Sequence, residues 1–194
     1  MLYSELQCSD AIHKAVERMG FAEMTEIQEK TIPVMMAGYD VIAKAPTGTG
    51  KTCAFGIPVA EHILPENKYP QAVIMAPTRE LAQQIAQELE ELTYFMPEVQ
   101  AACVYGGANM EKQAKRLAEG CQIVVATPGR LMDHYKHHSI DISHVTQIVL
   151  DEADEMLNMG FYKDVRHIIE MMKARKSLSM FSATISREVM DIGW

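Results

Sequence analysis

No stretch of the sequence is apolar over the ~20 residues that a membrane-spanning helix needs. The opening Met1-Leu2-Tyr3-Ser4-Glu5 lacks the basic and apolar regions of a secretory leader. Cysteine is scarce and scattered. Cys8, Cys53, Cys103 and Cys121 form no C-x-x-C pair, which speaks against a zinc site and for a reducing compartment. Positive charge is short as well: 18 Lys and Arg stand against 26 Asp and Glu, a net charge of −8. No global basic surface is available to a polyanion, so any such partner must be held by a local site. Low-complexity segments and short repeats are missing. These absences predict a soluble, cytoplasmic protein with no membrane partner, and a length of 194 residues predicts a single domain. Apolar residues, by contrast, make up 48% of the chain, enough for a sizeable core.

Those apolar residues are arranged in a pattern. Ser9 and Asp10 suit a helix start, Ile12, Val16 and Met19 fall at helical spacing, and Gly20 ends the run. Thr25-Glu26-Ile27-Gln28 opens a second helix that ends near Gly38. From Asp40 onward short apolar runs recur at Val41–Ala45, Ala72–Ala76, Ala101–Val104, Ile123–Ala126, Ile148–Leu150 and Leu178–Phe181. Helix-compatible segments separate them: Thr52–His62, Glu80–Phe95, Met110–Ala118, Gly129–Tyr135, Tyr162–Met172 and Arg187–Ile192. Near-continuous apolar strands require burial on both faces. The alternation therefore predicts an α/β fold, a doubly wound parallel sheet with helices on both faces.

In such a sheet ligands bind beyond the carboxyl ends of the strands. The first run is followed by Ala45-Pro46-Thr47-Gly48-Thr49-Gly50-Lys51-Thr52, a glycine-bearing turn between strand and helix. It misses the strict G-x-x-x-x-G-K-[ST] pattern by its first residue. The segment Thr47-Gly48-Thr49-Gly50 would close backbone N–H groups around an anion, and the helix N-terminus would add its positive end. Lys51 would reach terminal phosphates and the Thr52 hydroxyl would ligate Mg²⁺. The plainer alternative is an ordinary βα turn with a solvated lysine.

The remaining runs also end in small, polar or charged residues: Pro77-Thr78-Arg79-Glu80, Tyr105-Gly106-Gly107, Thr127-Pro128-Gly129-Arg130, Asp151-Glu152-Ala153-Asp154 and Ser182-Ala183-Thr184. One such ending is explained by turn preference; all of them together point to one functional edge. A carboxylate at the tip of a buried strand needs a cation or a hydrogen-bond donor. Asp151 suits a metal and Glu152 the orientation of an attacking water, the division of labour that phosphoryl transfer requires. A solvated acidic helix start is the competing reading. Gln28 reads first as the last member of a Thr-x-x-Gln capping box, the alternative being a reader of adenine through N6 and N7. His134, His137 and His138 lie in or beside a polar loop and are expected in solvent.

Taken in order, Gly20-Phe21 through Gln28, Ala45–Thr52, Pro77–Ala82, Gly106-Gly107, Thr127–Arg130, Asp151–Asp154 and Ser182–Thr184 resemble the first, RecA-like lobe of a DEAD-box ATP-dependent RNA helicase. The resemblance spans essentially the whole chain. It implies ATP and Mg²⁺ as cofactors and tolerates alanine at position 45. Gln28 becomes the adenine reader with Phe21 stacking beside it, so that 1–38 is a helical adenine-recognition segment within one domain, 1–194. Met24 stands where the family usually has proline, and Tyr3 where it has phenylalanine.

The resemblance further implies Lys51, Asp151 and Glu152 as catalytic residues, with Thr52 and Asp151 on the metal. Thr78, Arg79, Gly107, Thr127, Gly129 and Arg130 are assigned to the backbone of single-stranded or duplex RNA. Hydroxyls, arginines and glycine-exposed N–H groups suit phosphate and sugar contacts. Asp154, Ser182 and Thr184 would link the two sites. The family carries a second helicase lobe absent from this chain, which implies either a fragment of a longer protein or a stand-alone lobe. The competing functions are a DNA-directed phosphate-loop translocase and a nucleotide-gated RNA-binding module without useful turnover.

Overall fold

A computed structural model describes residues 1–45 and 50–193. Among these, the apolar runs form six strands: β1 (Ile42–Lys44), β2 (Ala72–Met75), β3 (Ala101–Val104), β4 (Ile123–Ala126), β5 (Gln147–Asp151) and β6 (Ser177–Ser182). All pair in parallel, in the order β1-β6-β5-β2-β4-β3. Because β6 and β5 fill the gap between β1 and β2, the tips of β1, β6 and β5 are neighbours. The helices are α1 (Asp10–Arg18), α2 (Glu26–Met36), α3 (Lys51–Glu61), α4 (Arg79–Leu92), α5 (Met110–Ala118), α6 (Pro128–Lys136), α7 (Ala153–Asn158), α8 (Tyr162–Met171) and α9 (Arg187–Gly193).

The pleat divides the core into two layers. Ala72 and Ile74 point into one cluster with Phe55, Ile85 and Leu89 from α3 and α4. Val73 and Met75, one residue on, point into the other, with Leu131, Ile168 and Val189 from α6, α8 and α9. Burial on both faces is what strands covered by helices on each side require. The sequence pattern did not mark α7, whose six residues bury only Ala153 and Met156 and so carry too little periodicity.

The helix starts are fixed by side chains. Ser9 Oγ accepts from Ile12 N at 3.4 Å, Thr78 Oγ1 from Leu81 N at 3.2 Å and Asn109 Oδ1 from Lys112 N at 3.0 Å. The opposite end of the sheet is held by three buried amides that the sequence reading passed over. Gln71 accepts from Leu64 N at 2.8 Å and donates to Leu64 O at 2.9 Å. Gln122 accepts from Gln100 N at 2.8 Å and donates to Glu98 O at 2.9 Å and Pro65 O at 3.1 Å. Gln147 donates to Val59 O at 3.3 Å. These side chains satisfy loop carbonyls and N–H groups that would otherwise be buried without partners.

Helix α3 is buried from Lys51 to Ala60, which explains its lack of a polar face. It comes close to α4: a Cβ added at Gly56 would stand 2.7 Å from Leu92 Cδ1. Phe55 meets Phe181 of β6 with ring centroids 5.3 Å apart and both rings fully buried. This contact ties the helix behind the phosphate loop to the strand beside it. We expect Phe55→Ala to cost about 3–5 kcal/mol, the usual range for truncating a buried aromatic. Urea unfolding of the 194-residue chain measures it, and a loss under about 1 kcal/mol would mean that the pair is not a pillar of the core.

Candidate functional site

At the tip of β1 the sequence-predicted residues Thr47, Gly48 and Thr49 lie outside the described residues, as does Pro46. Gly50 caps α3 at φ 95°, a left-handed conformation open to glycine. A Cβ there would also crowd Gln28 Nε2 at 3.2 Å, so the small residue serves both backbone and neighbour. Lys51 and Thr52 follow on the first turn, both buried. Lys51 Nζ stands 3.3 Å from Oδ1 of Asp151, which ends β5 and is 1% exposed. The pair is an ionic contact without hydrogen-bond alignment, and among the described residues Nζ has no directed acceptor. A buried ammonium with uncommitted donors fits a phosphate.

Burial pushes the Asp151 carboxyl above its ordinary pKa, against the pull of Lys51 and the Glu152 N–H, which donates to it at 3.0 Å. Glu152 is also raised, first by burial and then by the surrounding carboxylates, with Lys51 opposing. Its backbone is left-handed at φ 50°, a conformation that costs a non-glycine residue roughly 1–2 kcal/mol and aims its side chain away from the strand axis. No cluster of three metal-binding His, Cys, Asp or Glu occurs among the described residues. One carboxylate and one hydroxyl nevertheless fit Mg²⁺, which keeps several waters and takes its other ligands from phosphates.

Gln28 lies against Gly50 at 2% exposure. It closes the capping box: Oε1 accepts from Thr25 N at 3.0 Å, and Thr25 Oγ1 accepts from Gln28 N at 3.4 Å. The same amide donates from Nε2 to Gly50 O at 2.9 Å and accepts from the Tyr3 hydroxyl. Capping and loop contact thus coexist in one side chain. Phe21 does not touch Gln28 directly. Its ring, 43% exposed, stacks on Tyr3 at 6.3 Å and reaches Gln28 through it. A cavity of about 340 Å³ lined by Thr25, Ile27, Lys44, Ala45 and Lys51 opens between the start of α2, the tip of β1 and the start of α3.

Asp154, Ser182 and Thr184 come together beside this centre. Thr184 donates to Asp154 Oδ2 from its hydroxyl at 2.9 Å and its N–H at 3.1 Å. Ser182 Oγ accepts from Asp154 N at 3.2 Å and donates to Thr184 O at 2.6 Å. Burial opposes ionisation of Asp154, but the bonds from Thr184 and Ser182 outweigh it and hold the carboxyl below its usual range. Ser182 O in turn accepts from Ala45 N at 2.8 Å, so this triad is fastened to the start of the phosphate loop.

Along the sheet toward β3, a second set of residues gathers. Thr78 caps α4, and exposed Arg79 lies over the Tyr105 ring at 4.7 Å. The Tyr105 hydroxyl accepts from Gln83 at 3.1 Å. Gly107 is exposed at φ 84°, Thr127 is buried and Gly129 half-buried. Arg130 is turned inward, its side chain 13% exposed. Its Nη1 donates to Ala108 O at 3.0 Å and to Gln113 Oε1 at 3.1 Å. Gln113 also donates to Tyr105 O at 3.0 Å, which fixes Oε1 as the acceptor for Arg130 and for His134 Nε2 at 3.0 Å.

His134 is therefore not solvated, as its loop-like sequence suggested. It sits inside α6 facing α5, fully buried, protonated on Nε2 and with Nδ1 unpartnered. Burial, then the Arg130 charge, keep it neutral by lowering its pKa. His137 and His138 are exposed as expected. Sequence reasoning missed Gln113. Its signal was a polar residue one turn before Leu117, on the buried stripe of α5.

Comparison with known proteins places this geometry. A DEAD/DEAH box helicase model matches residues 25–192. An ATP-dependent RNA helicase, CshA, from Limosilactobacillus reuteri is 48% identical over the whole chain and CshA from Listeria monocytogenes 47% over 98% of it. The chain spans 39% and 36% of those relatives' own lengths. The crystal structure of a DEAD box protein from Methanococcus jannaschii superposes with a TM-score of 0.91 at 41% identity, over 99% of this chain and 52% of that one. A hypothetical ATP-dependent RNA helicase from Sulfolobus tokodaii gives 0.87 at 39%, over 95% and 53%.

The buried ion pair has a measurable consequence. A carboxyl whose pKa is raised on folding stabilises most at acid pH, and that contribution is lost as pH rises through the folded value. Removing the ammonium raises Asp151 further. We therefore expect Lys51→Met to destabilise the chain by about 3–5 kcal/mol near pH 8 and by progressively less toward pH 5, as Asp151 takes up a proton. Urea unfolding at both ends of the range tests this. A difference independent of pH would mean that Asp151 is not the charge left unpaired.

Proposed function

The chain belongs to the DEAD/DEAH box helicase family, and from that premise we propose that it is the ATP-binding lobe of an ATP-dependent RNA helicase, a single domain over 1–194 that works with a second lobe. The observation that carries the reading is the Lys51–Asp151 pair at 3.3 Å, capped by the Gln28–Gly50 bond. The first supports a phosphate site, and the second supports a base-reading role for Gln28 beside it. Gln28 has a second Nε2 hydrogen for N7 of adenine. Its Oε1, which now accepts from Thr25 N and Tyr3, would exchange the Tyr3 bond for the N6–H that distinguishes adenine from guanine. The exposed Phe21 ring offers a stacking face nearby. Lys51 binds the terminal phosphates. Thr52 and Asp151 would hold Mg²⁺, which when bound neutralises charge on the phosphate oxygens. Glu152 orients the attacking water and accepts its proton. Its raised pKa makes it a stronger base than a free carboxylate.

Thr78, Arg79, Gly107, Thr127, Gly129 and Arg130 form the proposed RNA edge, reading backbone rather than bases. The Asp154–Ser182–Thr184 cluster lies between the two and would transmit nucleotide state. We further assign the protein to the cytoplasm. Cys8, Cys53, Cys103 and Cys121 are all free thiols among the described residues, as suits a reducing compartment. Among the described residues no helix is long and apolar enough to cross a membrane.

Calorimetry with ADP and GDP tests the nucleotide assignment. The chain should prefer ADP, Gln28→Ala should erode that preference by about 1–3 kcal/mol, and Lys51→Ala should weaken both ligands. Equal affinity for the two in the unmodified chain would remove Gln28 from its role.

Turnover tests the rest. In the full-length protein Glu152→Gln should bind ATP normally yet lose RNA-stimulated hydrolysis, whereas normal turnover would exclude Glu152 as the base. Residues 1–194 alone should hydrolyse ATP slower by roughly 10³–10⁵, the usual worth of an arginine supplied from another body. RNA-stimulated turnover by this lobe at the full-length rate would contradict the two-lobe reading.

A further inference from the structure

The proposed RNA edge is assembled from three separate loops, and backbone pairing alone does not lock them together. Strand pairing ends at Val104 with Ala126. Beyond it, Thr127 N still donates to Val104 O at 3.1 Å. The segments 105–108 and 128–130 are joined through side chains, and Gln113 stands at the junction. Its two ends are used in opposite senses: Nε2 donates to Tyr105 O, and Oε1 accepts from Arg130 Nη1 and His134 Nε2. Arg130 adds its own bond to Ala108 O. Tyr105 extends the connection to the third loop through Arg79 over its ring and Gln83 on its hydroxyl.

Arg130 itself is held in a way that a surface phosphate hook is not. Nη1 is committed to two protein acceptors, and Nε is buried 3.7 Å from Asp133 without a hydrogen bond. Nη2 is the part of the group left without a protein acceptor among the described residues. Long cationic side chains normally lose rotamer freedom on binding a phosphate. Here that freedom is already removed before a ligand arrives. A glutamine is suited to the task because it donates and accepts at once; a carboxylate would repel the Tyr105 carbonyl, and an apolar residue would release both loops.

We propose that Gln113 is the positioning residue of the RNA edge: it aims Arg130 at an RNA phosphate and sets the spacing between the loop carrying Gly107 and the loop carrying Thr127 and Gly129. Gln113 contacts no RNA itself and acts through Arg130 and Tyr105. The inference rests on the RNA reading above.

The test uses the full-length protein, a fluorescein-labelled oligouridylate and a non-hydrolysable ATP analogue, with anisotropy recorded over a salt series. Gln113→Met keeps the volume and removes both polar ends. It should weaken RNA binding roughly tenfold, the scale of one lost charge-assisted contact. The slope of log affinity against log salt should fall by about 0.7, one phosphate contact on a single strand. Arg130→Ala should give the same fall, and the double variant should add less than about twofold, as expected for residues acting as one unit. Gln113→Glu, which keeps the acceptor for Arg130 but repels the Tyr105 carbonyl and adds a negative charge, should fail to restore either the affinity or the slope. ADP affinity within about twofold of the unmodified protein certifies folding, and Gln113→Ser replaces the methionine variant if that one does not fold.

A normal salt slope in folded Gln113→Met, or losses from Gln113→Met and Arg130→Ala that simply add, overturns the proposal while leaving the RNA reading intact. Failure of the unmodified protein to bind the oligouridylate, or Arg130→Ala binding it normally, overturns the RNA assignment and the proposal with it.

Discussion

A lysine ammonium and an aspartate carboxylate, both withdrawn from water and 3.3 Å apart, form the contact around which the molecule is arranged. Each charge alone would be costly at that depth, and their attraction repays burial only with help from further partners. Asp151 obtains some from the Glu152 N–H, whereas Lys51 has none aligned among the described residues. The site is therefore electrostatically incomplete in a specific direction: it has donors waiting for an anion. The sheet order supplies the adjacency: with β6 and β5 inside the β1–β2 gap, the start of α3 and the end of β5 come together.

The same insertion makes communication short. Ser182 at the tip of β6 bonds through its carbonyl to Ala45 and through its hydroxyl to Asp154 and Thr184. The tip of β1 at Ala45 is thus two hydrogen bonds away from α7. Glu152 holds a strained left-handed conformation between Asp151 and Asp154. Strain of this kind persists only where the surroundings over-determine the backbone, and here a buried strand and a bonded helix start do so.

Much of this was legible in the sequence because strand tips in a parallel sheet share one edge. Near-continuous apolar runs gave the strands within one or two residues, and the described residues that follow them gather along one edge of the sheet. Side-chain orientation was less legible. His134 looked like a loop residue because charged and polar neighbours surround it, yet α6 continues through it and turns it toward α5. Gln28 offered two roles that local pattern could not separate; the three-dimensional arrangement gives it the cap and the Gly50 contact together. Arg130 reads as a phosphate hook in sequence, and only the distances to Ala108 O and Gln113 show how firmly it is held. Gln71, Gln113, Gln122 and Gln147 share one cause of invisibility. A buried amide is recognised by the unpaired backbone groups around it, and those belong to segments distant in sequence.

The amides at the starts of the strands carry a practical consequence. The end of the sheet farthest from the ion pair is the obvious place to graft a tag, split the chain or insert a reporter domain. Yet the turns there are stapled: 64–71 by Gln71, and 97–100 by Gln122. Opening either would strand several buried donors and acceptors at once. The better tolerated graft points are the ones without such staples, such as the exposed turn at His137-His138, where the backbone already bends with few side-chain ties.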